Sequence, residues 1–103
     1  MTAVIVSRAA EADLNAITDF YLTEAGIVLA AGFMTAWDGC IDHLDAFPAS
    51  GSPRLAGNLA IAGLRVWPIK GFPQLVLYLE TAQGVTIQRV LHSARDLQFV
   101  LRD

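Results

Sequence analysis

The residues best suited to chemistry lie in the second half of the chain, where Arg54, Arg65, Arg89, His92 and Arg95 fall in or beside strand-like runs. Arginine presents a planar fork that matches carboxylates and phosphates. An imidazole among such groups could pass a proton while guanidinium groups neutralise phosphate, the equipment needed to cleave RNA. The same residues could equally grip an acidic peptide. His92 has no second proton-transfer group beside it, so a structural hydrogen-bonding role is the plainer reading of that residue alone.

Other constellations are thinner. Asp38, Asp42 and Asp45 share one side of a helix at spacings of four and three. His43 points about 100° away from Asp42, however, so a solvated acidic edge is favoured over a metal site. The stretch from Gly32 to Gly39 lacks the lysine and the preceding strand of a phosphate loop. Cys40 is the single cysteine. Alone it forms no internal disulfide, and with His43 and His92 far from each other it makes no zinc knuckle. It falls in an apolar stripe and reads as a buried thiol. No cofactor and no metal are implied.

The chain has 103 residues, of which 54% are hydrophobic and 17% charged. One apolar domain spanning 1–103 is therefore expected, and disorder is excluded. A domain of this size leaves much of its surface exposed, and some of the apolar excess is expected to meet another chain. The net charge of -3 is unevenly divided. Residues 1–50 carry one base and seven acids, a net of -6, whereas residues 51–103 carry six bases and three acids, a net of +3. An acidic face and an arginine-built basic face follow. The start, MTAVIVSRAAEADLN, lacks the basic region and cleavage pattern of a signal peptide. The most apolar run, Ala25 to Ala36, is too short for a membrane helix. A soluble, cytoplasmic protein is expected, consistent with the lone cysteine.

The elements that must position these residues follow from periodicity. Ala3 to Val6 is short and β-branched, and reads as a strand buried on both faces. Ser7 offers an N-cap to an amphipathic helix over about residues 9–23, with Ala10, Leu14, Ile17 and Tyr21 on its apolar stripe. After Ala25-Gly26 a second helix of about 20 residues carries Ile27, Ala30, Met34, Trp37, Ile41 and Leu44, and ends before Pro48. Leu29, Phe33 and Cys40 widen its stripe. Gly32 and Gly39 share a side, where they could admit a second backbone or simply be tolerated.

Pro48 to Gly63 is a loop by composition. Leu64–Ile69, Leu75–Glu80 and Val85–His92 then form an antiparallel meander, with Pro68 forcing its stretch to an edge or bulge and Leu75–Leu79 in the middle. Strict alternation puts Val85, Ile87, Arg89 and Leu91 on one face of the last strand. Arg89 therefore needs either a bulge or a carboxylate partner. Ser93 and Asp96 have capping-box spacing, and Phe99, Val100 and Leu101 could dock a short C-terminal segment. The fold class is α+β, strand-helix-helix-strand-strand-strand, with a helical hairpin on one face of a small, largely antiparallel sheet. The opposite face is the natural binding surface.

The run Arg89-Val90-Leu91-His92-Ser93-Ala94-Arg95-Asp96-Leu97 resembles the ending of ParE-type toxins of the RelE/ParE superfamily. The opening strand with Ser7 and Ala9-Ala10-Glu11-Ala12-Asp13-Leu14 is similar to theirs. So are Phe47-Pro48, Gly-Ser-Pro-Arg at 51–54, and Gly63-Leu64-Arg65. The resemblance implies a toxin of a type II toxin-antitoxin pair, held in a hetero-oligomer by a co-encoded ParD-like antitoxin whose C-terminal segment wraps the hairpin and sheet. ParE-type relatives poison DNA gyrase, whereas RelE-type relatives cut mRNA on the ribosome. The nuclease branch has a basic residue ahead of the third strand, where this chain reads Phe72-Pro73-Gln74-Leu75, and a late tyrosine, absent here after Arg95. The chain's overall acidity also argues against binding ribosomal RNA.

The leading expectation is a gyrase poison that acts by protein binding, without direct contact to nucleic acid or membrane. Arg54, Arg65, Arg89, His92 and Arg95 would form its polar surface. Ile27, Phe33, Met34, Trp37, Ile41 and Leu44 would form the apolar surface covered by the antitoxin. The alternatives are an endonuclease using Arg65, Arg89 and His92, or a binding module that has lost toxicity.

Overall fold

The computed structural model describes residues 3–96. The elements run β1 (Ala3–Val6), α1 (Arg8–Ala25), α2 (Ile27–Ala46), β2 (Arg65–Pro68), β3 (Gln74–Thr81) and β4 (Gly84–His92). The order and the α+β class are as expected. In the sheet, β1-β4-β3-β2, β1 runs parallel to β4 and the other pairs are antiparallel, with α1 and α2 packed on one face.

Ser7 closes the first turn of α1, its hydroxyl accepting from the Ala10 amide at 3.1 Å, the role of an N-cap. Gly26 alone separates the helices, with φ at 92°, a left-handed value that suits the residue without a Cβ. The chain can then reverse at once into α2. Ala30, Phe33, Trp37, Cys40 and Leu44 form the buried stripe of α2. All but Ala30 pack with Ala10 on the sheet residues Val76, Tyr78, Val85, Ile87 and Val90. β3 is central and buried from Gln74 to Tyr78, as its two-sided apolar run predicted. β2 is an edge, as Pro68 required.

Four expectations change. β1 is an edge strand with alternate exposure rather than a strand buried on both faces, because β4 and β3 fill the centre and the helices cover only one side. The segment 48–63 is more than a connector. It crosses the far face of the sheet, where Leu55 and the adjoining Leu64 join Val66, Leu75, Leu77 and Leu91 in a second apolar cluster. The face expected to be open for binding is thus partly roofed, and a cleft of about 360 Å³ remains between Leu59, Ile61, Leu77 and Leu91.

Ser93 and Asp96 form no capping box. Residues 93–96 make a turn in which the Asp96 carboxylate accepts from the His92 amide at 2.8 Å and the Ser93 amide donates to the Pro73 carbonyl. Phe99, Val100 and Leu101 lie outside the described residues.

Candidate functional site

The arginine in the apolar row is resolved by both devices at once. The β3–β4 register slips between Leu77 and Tyr78, which face Arg89 and Ile87, so Gln88 is the extra residue of a bulge. Upstream of it Val85 and Ile87 face the helices; downstream Val90 does, while Leu91 turns to the far cluster. β1 stops at Val6, opposite Ile87, which leaves the edge of β4 open beyond that point. The start of the first helix fills the gap. Ser7 donates its amide to the Ile87 carbonyl and its hydroxyl to the Gln88 carbonyl, each at 3.0 Å, and the Asp13 carboxylate accepts from the Val90 amide at 2.9 Å. The same carboxylate takes both prongs of Arg89, Nε at 2.7 Å and Nη2 at 2.9 Å, a charge-assisted, geometrically specific pair. The Asp13 hydrogen bond holds the Arg89 guanidinium above its ordinary pKa, burial opposing it.

Sequence reasoning misses Asp13, although a signal exists. It lies three after Ala10 and four before Ile17, at the flank of the stripe. An acid near the core side of α1 is the complement of an arginine within the apolar row of β4.

His92 holds the turn beyond β4. Its ring Nδ1 accepts from the Ala94 and Arg95 amides, both at 3.1 Å, which assigns the neutral ring's proton to Nε2. The ring borders a hollow of about 480 Å³ lined also by Ile17, Phe20, Tyr21, Gln74 and Arg95. Buried Gln74 donates to the Tyr21 hydroxyl at 3.0 Å. Arg95 is exposed, 3.7 Å from Asp96, with its guanidinium 6.0 Å from the centre of the Phe20 ring. Among the described residues no buried polar side-chain atom lacks a partner.

Arg65 belongs to a different place. It pairs across the sheet with Tyr78, four residues along β3 from the Gln74–His92 pair. At strand rise that is a separation of roughly 13 Å. Its Nη1 donates to the Gly51 carbonyl at 2.8 Å. Tyr78 is fully buried, its hydroxyl donating to the Pro48 carbonyl at 2.8 Å and accepting from the Gly51 amide at 2.9 Å. Burial pushes the phenol pKa up, partly offset by the Gly51 amide and by the charge of Arg65. Arg54 is exposed on the loop that follows Gly51. The five cationic candidates therefore do not converge. Arg65 stands beside the middle of β3, His92 and Arg95 lie by its Gln74 end, Arg54 is on the loop after Gly51, and Arg89 is committed to Asp13.

The apolar candidates also divide. Phe33, Trp37 and Leu44 are buried against the sheet and cannot reach a partner in this conformation. Ile41 is half-buried beside them. Of the six, Ile27 and Met34 are exposed, and the outward apolar surface is completed by Phe20, Leu22, Val28 and Leu29 at the turn of the hairpin. Gly32 and Gly39 flank a groove of about 460 Å³ between α2 and the β2 edge, and a Cβ on either would meet nothing within 4 Å. His43 closes one end, stacked on Trp67 at 4.1 Å with Nε2 2.9 Å from the Ser50 hydroxyl. Cys40 is buried, and desolvation pushes its thiol up to about 12, because burial disfavours the thiolate. Among the described residues, no group of three His, Cys, Asp or Glu is placed to hold a metal ion, and no helix is long and apolar enough to cross a membrane.

A search of curated proteins finds no match. Among solved structures the fold matches a chain of the chromosomal ParDE toxin-antitoxin system from P. aeruginosa, with a TM-score of 0.74 and 22% identity over 89% of this chain and 96% of that one. The family described as the ParE toxin of the type II toxin-antitoxin system parDE matches residues 4–97. With its strand, helical hairpin and meander in that order, and with the family pattern running through nearly all of them, the chain belongs to the ParE toxin family.

Proposed function

We propose that this ParE-family toxin acts by binding DNA gyrase, rather than by chemistry of its own, and that a co-encoded ParD-like antitoxin holds it in a cytoplasmic hetero-oligomer. The observation that carries the binding reading is the commitment of its cationic groups. Arg89 is held in a two-pronged pair with Asp13, His92 presents Nδ1 to two backbone amides, and Arg65 donates to the Gly51 carbonyl. A nuclease needs a general acid and base within reach of one phosphate. Arg65 and His92, required together by that alternative, lie four residues apart along β3, roughly 13 Å at strand rise. The half-exposed hairpin and the polar surface of Arg54 and Arg95 instead suit contact with proteins.

The test is direct. The purified chain should inhibit supercoiling by gyrase, be relieved by the antitoxin encoded beside it, and leave translated mRNA intact. Unaffected supercoiling together with codon-phased mRNA cuts would overturn the proposal.

A further inference from the structure

The cleft of about 360 Å³ left open on the far face of the sheet is a built feature. Leu64, Leu77 and Leu91 form its floor, each buried in the far cluster, and Ile61, 39% exposed, stands in its wall. Core packing holds that floor, so the cleft is formed before any ligand arrives. Two irregularities shape it. Gln88, the extra residue of the bulge, lines the cleft, and a bulge re-aims side chains beside a site. Ala60 also lines it, with φ at 55°, a left-handed value that a residue with a Cβ keeps only where its surroundings impose it.

The polar groups at the cleft carry no negative charge. Asn58, exposed, and Gln88, half-buried, each bring an amide that can donate and accept. Arg89 is the charged lining residue, and Asp13 takes its Nε and Nη2, which leaves Nη1 for another acceptor. Among the described residues no acid lines the cleft, and residues 48–64 contain none. Glu80 pairs with Val85, which packs against the helices, and so belongs to the other face. With Arg54 exposed on the roof, the far side keeps a positive charge even after Asp13 has neutralised Arg89.

We propose that this cleft seats one large apolar side chain of a short acidic segment of the toxin's protein target. The Asn58 and Gln88 amides would meet the backbone of that segment, and Arg89 a carboxylate beside its apolar side chain. This rests on the binding reading above and gives the target a docking point. Charge complementarity selects the occupant. Nucleic acid requires a cluster of cations that this face lacks. A second copy would have to bring its acidic hairpin to the cleft, a head-to-tail contact that propagates with concentration.

The experiment uses the full chain and two fluorescent heptapeptides with one central phenylalanine, flanked by aspartate in the first and by lysine in the second. The aspartate peptide should bind roughly tenfold more tightly or better. It should also lose affinity as salt rises, and protect amides across residues 58–64. Ile61→Glu, folded by circular dichroism, should weaken that binding by roughly tenfold or more, and Ile61→Lys far less. Equal binding of the two peptides, protection confined to other residues, two Ile61 variants that behave alike, or self-association that Ile61→Glu abolishes would each overturn the proposal. Supercoiling separates the two levels. If the unaltered chain inhibits gyrase and Ile61→Glu inhibits it equally, this docking proposal fails and the gyrase reading stands; if the unaltered chain leaves supercoiling unaffected, the gyrase reading fails and the two peptides decide the cleft.

Discussion

Arg89 and Asp13, 76 residues apart, meet in a two-pronged ion pair around the edge of β4 where β1 has run out. The two members are unequal. The Asp13 side chain is 14% exposed and serves three donors, whereas Arg89 is 49% exposed and serves one partner.

That asymmetry predicts the mutational order. Arg89→Ala should cost about 1 kcal/mol or less, since solvent screens a half-exposed charge. Asp13→Ala strands the Val90 amide as well and should cost about 2–3 kcal/mol. Urea unfolding midpoints measure both, and equal losses would contradict the arrangement.

Gly51 and Tyr78 set a steric prediction. A Cβ on Gly51 would stand 2.5 Å from the Tyr78 hydroxyl oxygen and 2.7 Å from its ring, inside a fully packed site. Gly51→Ala should therefore destabilise by about 1–3 kcal/mol. Tyr78→Phe should cost a similar amount by leaving the Pro48 carbonyl and Gly51 amide unpaired. In the double variant the two costs should sum to more than is measured, because removing the hydroxyl relieves part of the clash.

Cys40 gives a pH prediction. Its thiol is raised from 9.0 to about 12 in the folded chain, so the unfolded chain loses its proton first as pH rises. The stabilisation is fully present below the unfolded value of 9.0 and is lost as pH climbs toward about 12. Between those limits the loss is roughly 1.4 kcal/mol per pH unit. Tyr78, also raised, adds to the alkaline loss above its ordinary value of 10.0. Thermal melts from neutral to strongly alkaline pH should show a steep decline that is shallower in Cys40→Ala. Rapid labelling of the native thiol in mildly alkaline buffer would refute the burial.

His92 separates structure from chemistry. His92→Ala should loosen the turn at 93–96 and cost about 1 kcal/mol. Growth arrest should weaken only in proportion to the folded protein that remains. A variant present at full level and wholly inert would point to a direct role for the imidazole.

Much of this is legible in the chain. The two-sided apolar run of Leu75–Leu79 identifies the central strand, Pro68 an edge, and Arg89 a conflict demanding a bulge or a carboxylate. The slip at Gln88 is not legible, because alternation carries no mark of where a register breaks. Nor is the division of α2 into buried Phe33, Trp37 and Leu44 and exposed Ile27 and Val28. That helix is apolar nearly all round, so its period does not choose a side. The roofing of the far face by Leu55 is hidden in a segment whose Pro, Gly and Ser read only as a connector. The gathering of five cations into one site fails for a geometric reason, since four residues of β3 separate Arg65 from His92 and Arg89 is taken up by Asp13.

The parallel pairing of β1 carries a consequence in time. Ala3 finds its partner at Gly84, and Ser7 its acceptors at Ile87 and Gln88. On a ribosome adding roughly 5–20 residues per second, the opening strand waits several seconds or more for the stretch it joins. Throughout that interval the sheet is missing both its first strand and the one that strand lies against. A nascent chain of this design cannot close its sheet until the residues of β4 have been made.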